Sequence, residues 1–160
     1  MASTESYGIP HAIASAREAR AAYHSAKGDM SKARAEYEAA VKEAEGRNDE
    51  FRVAWYTWQL GMIAAGLEDK ALARLSYNSA LNYFRGHKLK YWAAEVSLSI
   101  ARLDAYQGDL TAAWAGLKHS RELAGNDSTE NLLANQFLLE GAIYGVEGRF
   151  QEQLTALHRA

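Results

Sequence analysis

Cysteine is missing from the chain altogether. That excludes disulfides, thiolate nucleophiles and cysteine-ligated metal sites together, and leaves no sign of an oxidising compartment. Proline occurs once, at Pro10. With so little of the residue that breaks helix interiors, and with abundant Ala, Leu, Glu and Lys, helices are favoured and no strands are expected. An excess of positive charge is lacking as well, since 18 Lys and Arg stand against 20 Asp and Glu for a net charge of −2. Nothing therefore draws the chain to phosphate backbones or anionic membranes, and direct nucleic-acid binding is disfavoured. No apolar run has the length of a signal peptide or a membrane span, so the expectation is a soluble, cytoplasmic protein without membrane insertion.

What is present is size and rhythm. A chain of 160 residues has the length of one domain, and a globule of that size buries about 70% of its unfolded surface. Residues 1–9 read as a disordered N-terminal tail and residues 10–160 as a single domain. Laid out at a 40-residue period, Ala33, Ala73 and Ala113 share a column with Gln153, and Tyr37 and Tyr77 share one with Leu117 and Leu157. Ala40, Ala80 and Ala160 align with Ser120, Val41 and Leu81 with Arg121, and Ala44 and Phe84 with Ala124. Within each unit these columns fall at the spacing of one buried helical face.

The punctuation repeats too. Asp29, Asp69 and Asp109 each precede the second helix of a unit, where a short carboxylate accepts free helix N–H groups and suits the dipole. Gly46 and Gly86, and Gly125-Asn126 one unit later, read as left-handed stops past that helix. A small residue recurs on the first helix at Ala21, Gly61, Ala101 and Gly141, which lets a neighbouring helix come close. The result is four helix pairs, with helices expected near 10–27, 30–45, 50–66, 69–85, 89–107, 109–124, 129–147 and 149–160.

These columns resemble the tetratricopeptide repeat family: a small residue on helix A, a Gly-Asp turn, then Ala, Tyr and Ala-Leu at fixed offsets on helix B. Unit 2, "WYTWQLGMIAAGLEDKALARLSYNSAL", is the clearest match. The 40-residue spacing exceeds the family's usual length, the closing proline is absent, and Arg17 and Arg20 stand where large apolar residues are preferred. The first two departures are shared with the longer-helix variants in kinesin light chains and bacterial regulator sensor domains. The third marks the first helix, starting near Pro10, as a divergent cap. The fold implied is all-α, a right-handed superhelical solenoid of antiparallel helix pairs with four repeats and about eight helices.

The resemblance also implies a site. In the family, helix A residues line the concave surface, where an extended peptide or partner helix lies. Its groove offsets fall on Trp55, Trp58, Gln59 and Met62 in unit 2, on Glu95, Leu98, Arg102 and Tyr106 in unit 3, and on Asn135, Leu138 and Ala142 in unit 4. Two tryptophans and Met62 form a stripe suited to burying a partner's apolar side chains. The helix "FRVAWYTWQLGMIAA" is apolar nearly all round, however, so Trp58 is as much a core candidate as a groove one, whereas Trp55 is assigned to the groove. Glu95, Arg102 and Asn135 could offer charge and an amide to a peptide backbone, or could form a solvated polar face. The Lys and Asn set of the family's carboxylate clamp is absent, which argues against capture of a chain's C-terminal carboxylate.

Other chemistry finds little footing. The five histidines never fall at ligand spacing with one another or with a carboxylate on one helix, so no metal or other cofactor is expected. Asp104 and His24 occupy a core column, where a satisfied interhelical hydrogen bond is the expected role. Asn126-Asp127-Ser128 fits a glycosylation sequon but reads as a helix stop followed by a start. No nucleophile, base or metal set converges, so an enzyme is not expected. The reading is a non-catalytic scaffold or adaptor that binds a protein or peptide segment; the alternative is a peptide-sensing module of a bacterial regulator or a secretion-type chaperone. No polar cap follows unit 4, so its C-terminal face is expected to be covered by self-association into a homo-oligomer or by further chain.

Overall fold

The computed structural model describes residues 16–125 and 128–160. Two expectations therefore lie outside the described residues: the tail over 1–9 with the helix start near Pro10, and the stop at Asn126 with the first two sequon positions. The described chain folds into eight α-helices and no strand. They are α1 (Ala16–Ala26), α2 (Met30–Gly46), α3 (Glu50–Gly66), α4 (Lys70–Gly86), α5 (Lys90–Tyr106), α6 (Leu110–Ala124), α7 (Glu130–Val146) and α8 (Phe150–Leu157). Each packs against the next, and the first helices of adjacent units also meet, α3 with α5 and α5 with α7. That second pattern is the mark of a stacked solenoid.

The beat of the backbone is shorter than the beat of the sequence. Residues of positive φ stand at Gly28, Asn48, Glu68, Lys88, Gly108, Gly125 and Gly148, so every turn between consecutive helices carries one. Gly46 and Gly86 are not left-handed, contrary to the sequence reading; each is the last residue of its helix. The stop comes two residues later, because the amide beyond it closes the helix: Asp49 N–H donates to the Ala44 carbonyl at 3.0 Å and Leu89 N–H to that of Phe84 at 2.8 Å. Asp49 and Asp69 also cap the following helices, their carboxylates accepting from Arg52 N–H and Leu72 N–H at 3.1 Å. Asp29 and Asp109 do likewise for α2 and α6, as expected. Gly125 has the positive φ assigned to it.

Small residues set the helix spacing. A Cβ added to Gly61 would lie 2.7 Å from Cδ1 and Cε1 of Tyr77, and one added to Gly116 would lie 2.8 Å from the Ala101 Cβ. The core falls into three clusters, each sealed by the first helix of the next unit. Ala33, Tyr37 and Ala40 of unit 1 are closed by Tyr56 and Ile63 of α3. Trp58, Tyr77 and Phe84 of unit 2 are closed by Ala93, Val96 and Leu103 of α5. Leu98 and Leu117 of unit 3 are closed by Leu132, Leu139 and Ile143 of α7. Helix α3 is therefore apolar nearly all round because it faces two clusters.

One repeat column ties each unit to the next. Arg34 reaches the Asp69 carboxylate at 3.3 Å, Arg74 pairs with Asp104, and the Trp114 indole N–H donates to Glu147 at 2.9 Å. Asp104 thus fills the role read for it, a buried carboxylate held across helices. Leu154 occupies the column in unit 4 and is exposed.

Candidate functional site

Two arrangements follow from the expected groove positions, and they lie at opposite ends of α3. At its N-terminal end, aromatic rings pack together. Trp55 stands edge-on to Trp58 and Trp92, with ring centroids 5.2 and 5.0 Å apart, and Phe51 and Phe84 extend the cluster. Trp58 is buried, its indole N–H donating to Ser99 Oγ at 3.1 Å. It belongs to the core because α5 closes over it, and the same closure by α7 buries Leu98; neither lines an open surface. Trp55 is half-buried, and its N–H donates to the Glu18 carboxylate of α1 at 3.1 Å. Trp92, the ring that joins this cluster from unit 3, was missed because the same column holds Arg52 in unit 2.

At the C-terminal end of α3 the chain leaves a groove. Its volume is about 510 Å³, and it is walled by Met62, Ala65 and Gly66 of α3 and by Ser99, Arg102, Leu103 and Tyr106 of α5. Glu68 and Lys70 form the rim at the turn into α4, and Tyr77 of α4 forms the floor. Three expected residues, Met62, Arg102 and Tyr106, are brought together here. Tyr106 is 88% exposed and Met62 37%, so an apolar lip faces outward. Gln59, Glu95 and Asn135 are half-buried and lie outside this groove, as do the exposed Leu138 and Ala142. Glu95 accepts from the Tyr91 hydroxyl at 3.0 Å.

The floor is the part the sequence reading missed. Tyr77 was assigned to packing, and its ring does pack on Gly61. Yet the residue is only 3% exposed, and among the described residues nothing hydrogen-bonds its hydroxyl. Burial pushes this phenol up to about 12, against the pull of the nearby Arg102 charge. A tyrosine in a packing column was the available signal, since its hydroxyl must reach a protein partner, water or a guest at the edge of the core. Ser99 is satisfied locally, accepting from Trp58 and donating to the Glu95 carbonyl at 3.1 Å. Among the described residues Arg102 has no carboxylate partner and lies over no ring, unlike Arg74 one helix away. The groove therefore joins an apolar lip to two accessible donors that no other described residue engages, a composition suited to a segment with an apolar side chain and a polar or anionic group beside it.

No family model matches the chain, and no curated protein matches its sequence. Among solved structures it resembles the crystal structure of BtubC (BKLC) from P. vanneervenii, with a TM-score of 0.74 and 24% identity. The likeness covers 89% of this chain and 59% of that one, and at this identity it shows the fold alone. Among the described residues no helix is long and apolar enough to cross a membrane.

Proposed function

We propose that the chain is a tetratricopeptide-type, non-catalytic interaction module that holds a protein or peptide segment in the groove between α3 and α5. The observation that carries the reading is that groove of about 510 Å³, where the Tyr77 hydroxyl and the exposed Arg102 guanidinium, neither held by another described residue, lie beside an exposed apolar lip. The stacked helix pairs support it, because such solenoids present extended surfaces between successive first helices.

The test is selection of a displayed random-peptide library on the immobilised chain, followed by rebinding of the enriched peptides to a Met62→Glu variant. Met62 is exposed, so that substitution leaves the core untouched. Enriched peptides should lose about tenfold or more in affinity on the variant, a change of at least about 1.4 kcal/mol. Peptides that bind both proteins equally, or a library that yields no enrichment, would refute the reading.

A further inference from the structure

We propose that the groove selects a segment bearing an aspartate or glutamate side chain next to an aliphatic one, with the carboxylate seated between the Tyr77 hydroxyl and the Arg102 guanidinium. This rests on the reading of the groove as a peptide site and specifies what that site accepts.

The geometry points to an anion of this size for three reasons. Tyr77 is the deepest lining residue and is more than nine-tenths buried, yet its hydroxyl has no partner among the described residues. The hydroxyl is open to the groove, since it is not among the sealed polar atoms, and it can therefore donate to a guest's acceptor. Arg102 of α5 is exposed and lines the same groove as Tyr77. Among the described residues it has no carboxylate partner, as Arg85 has none, whereas Arg17, Arg20, Arg34, Arg52 and Arg74 all have one. A phenol and a guanidinium converging in partly apolar surroundings make charge-assisted hydrogen bonds to a carboxylate, which are stronger than those to a neutral carbonyl. At the rim Glu68 and Lys70 offset each other, so the uncompensated charge of the groove is that of Arg102. A single arginine does not make a phosphate-backbone surface in a chain of net charge −2.

The flanking residue follows from the walls. Ala65 and Gly66 leave the α3 side shallow, while Met62 and Leu103 supply aliphatic surface. An aliphatic side chain fits this space, and the thioether of Met62 can adjust to its shape. The commitment is to a side-chain carboxylate within a segment.

The probes are acetylated, amidated nonapeptides with a Leu-Glu-Leu centre in a Gly-Ser frame, their Leu-Gln-Leu and Leu-Lys-Leu counterparts, and the Leu-Gln-Leu peptide with a free C-terminal carboxylate. Each is titrated against the wild-type chain, Arg102→Gln and Tyr77→Phe. Both variants should melt cooperatively, since Arg102 is exposed and phenylalanine keeps the packed ring. The Glu peptide should bind about tenfold or more tightly than the Gln peptide on the wild type, and that preference should vanish on Arg102→Gln and shrink severalfold on Tyr77→Phe. Equal binding of the three amidated peptides, an unchanged preference on Arg102→Gln, or no binding of the Glu peptide would overturn the proposal. So would preference for the free C-terminus. In each of those cases library peptides that still depend on Met62 would leave the broader reading standing; loss of both results removes both.

Discussion

The groove between α3 and α5 and the corresponding position between α5 and α7 are made from the same repeat columns, yet only the first sets a tyrosine hydroxyl and an arginine side by side in its lining. One unit along, Tyr77 becomes Leu117, Ser99 becomes Leu139 and Arg102 becomes Ala142. Leu117 and Leu139 join one apolar cluster with Leu132 and Ile143, so the later cleft has no donor at these positions, although the buried Gln136 of α7 leaves its Oε1 without a hydrogen bond among the described residues. The repeat dictates where helices and turns go, and the departures from it decide which interhelical cleft can recognise anything. A second contrast runs along the same columns. Gly61 lies under Tyr77, which is sealed by α5, whereas the equivalent Gly141 lies under Leu157, which stays 43% exposed.

The comparison can be broken most forcefully at its floor. Tyr77→Ala should cost about 3–5 kcal/mol of folding free energy in urea unfolding, because a large ring is removed from a closed cluster. Tyr77→Leu, which copies unit 3, should cost far less while abolishing the difference between the two clefts for peptide binding. Equal losses from both substitutions would mean that packing, and not the hydroxyl, distinguishes them. Gly61→Ala should cost about 1–3 kcal/mol, since its Cβ would meet the Tyr77 ring. Gly141→Ala should cost less, because the atoms it meets belong to the half-free Leu157 side chain. Thermal melts of the two variants side by side would measure the difference.

Ionisation sharpens the same contrast. Burial raises the folded-state pKa of Tyr77, and of Tyr37 in its column, from 10 to about 12. A raised folded pKa means that the stability is fully present below pH 10 and drains away as pH climbs toward 12. The melting temperature should fall across that window, and the Tyr77→Phe, Tyr37→Phe double variant should show a shallower fall. The smallest effect is expected at the turns. Glu68→Gly should stabilise by about 0.5–1 kcal/mol, since a non-glycine side chain there holds a left-handed φ. Gly108→Ala should do the reverse.

Much of the fold was legible because it repeats. The Asp caps, the small residues at Gly61 and Ala101 and the eight helices follow from columns spaced 40 apart. The half-length beat of the turns was hidden, because Glu68 and Lys88 carry no sequence signal for a left-handed backbone, and the neighbouring Gly46 drew the assignment away from Asn48, whose type tolerates one. The site was legible in part. Met62, Arg102 and Tyr106 meet as the repeat offsets place them, while Trp58 and Leu98 do not, because a first helix faces two clusters and the sequence does not say which side the next unit covers. Tyr77 was read as packing alone, since its column mates at 117 and 157 are leucines.

The central claim is that a partner segment lies in the groove between α3 and α5, and titrating a library-selected peptide into the ¹⁵N-labelled chain tests it most directly. The account predicts that amide shifts concentrate on Met62, Ala65, Arg102, Leu103 and Tyr106 and disappear in the Tyr77→Leu variant. Shifts centred on α7 and α8, or unchanged by that substitution, would contradict it.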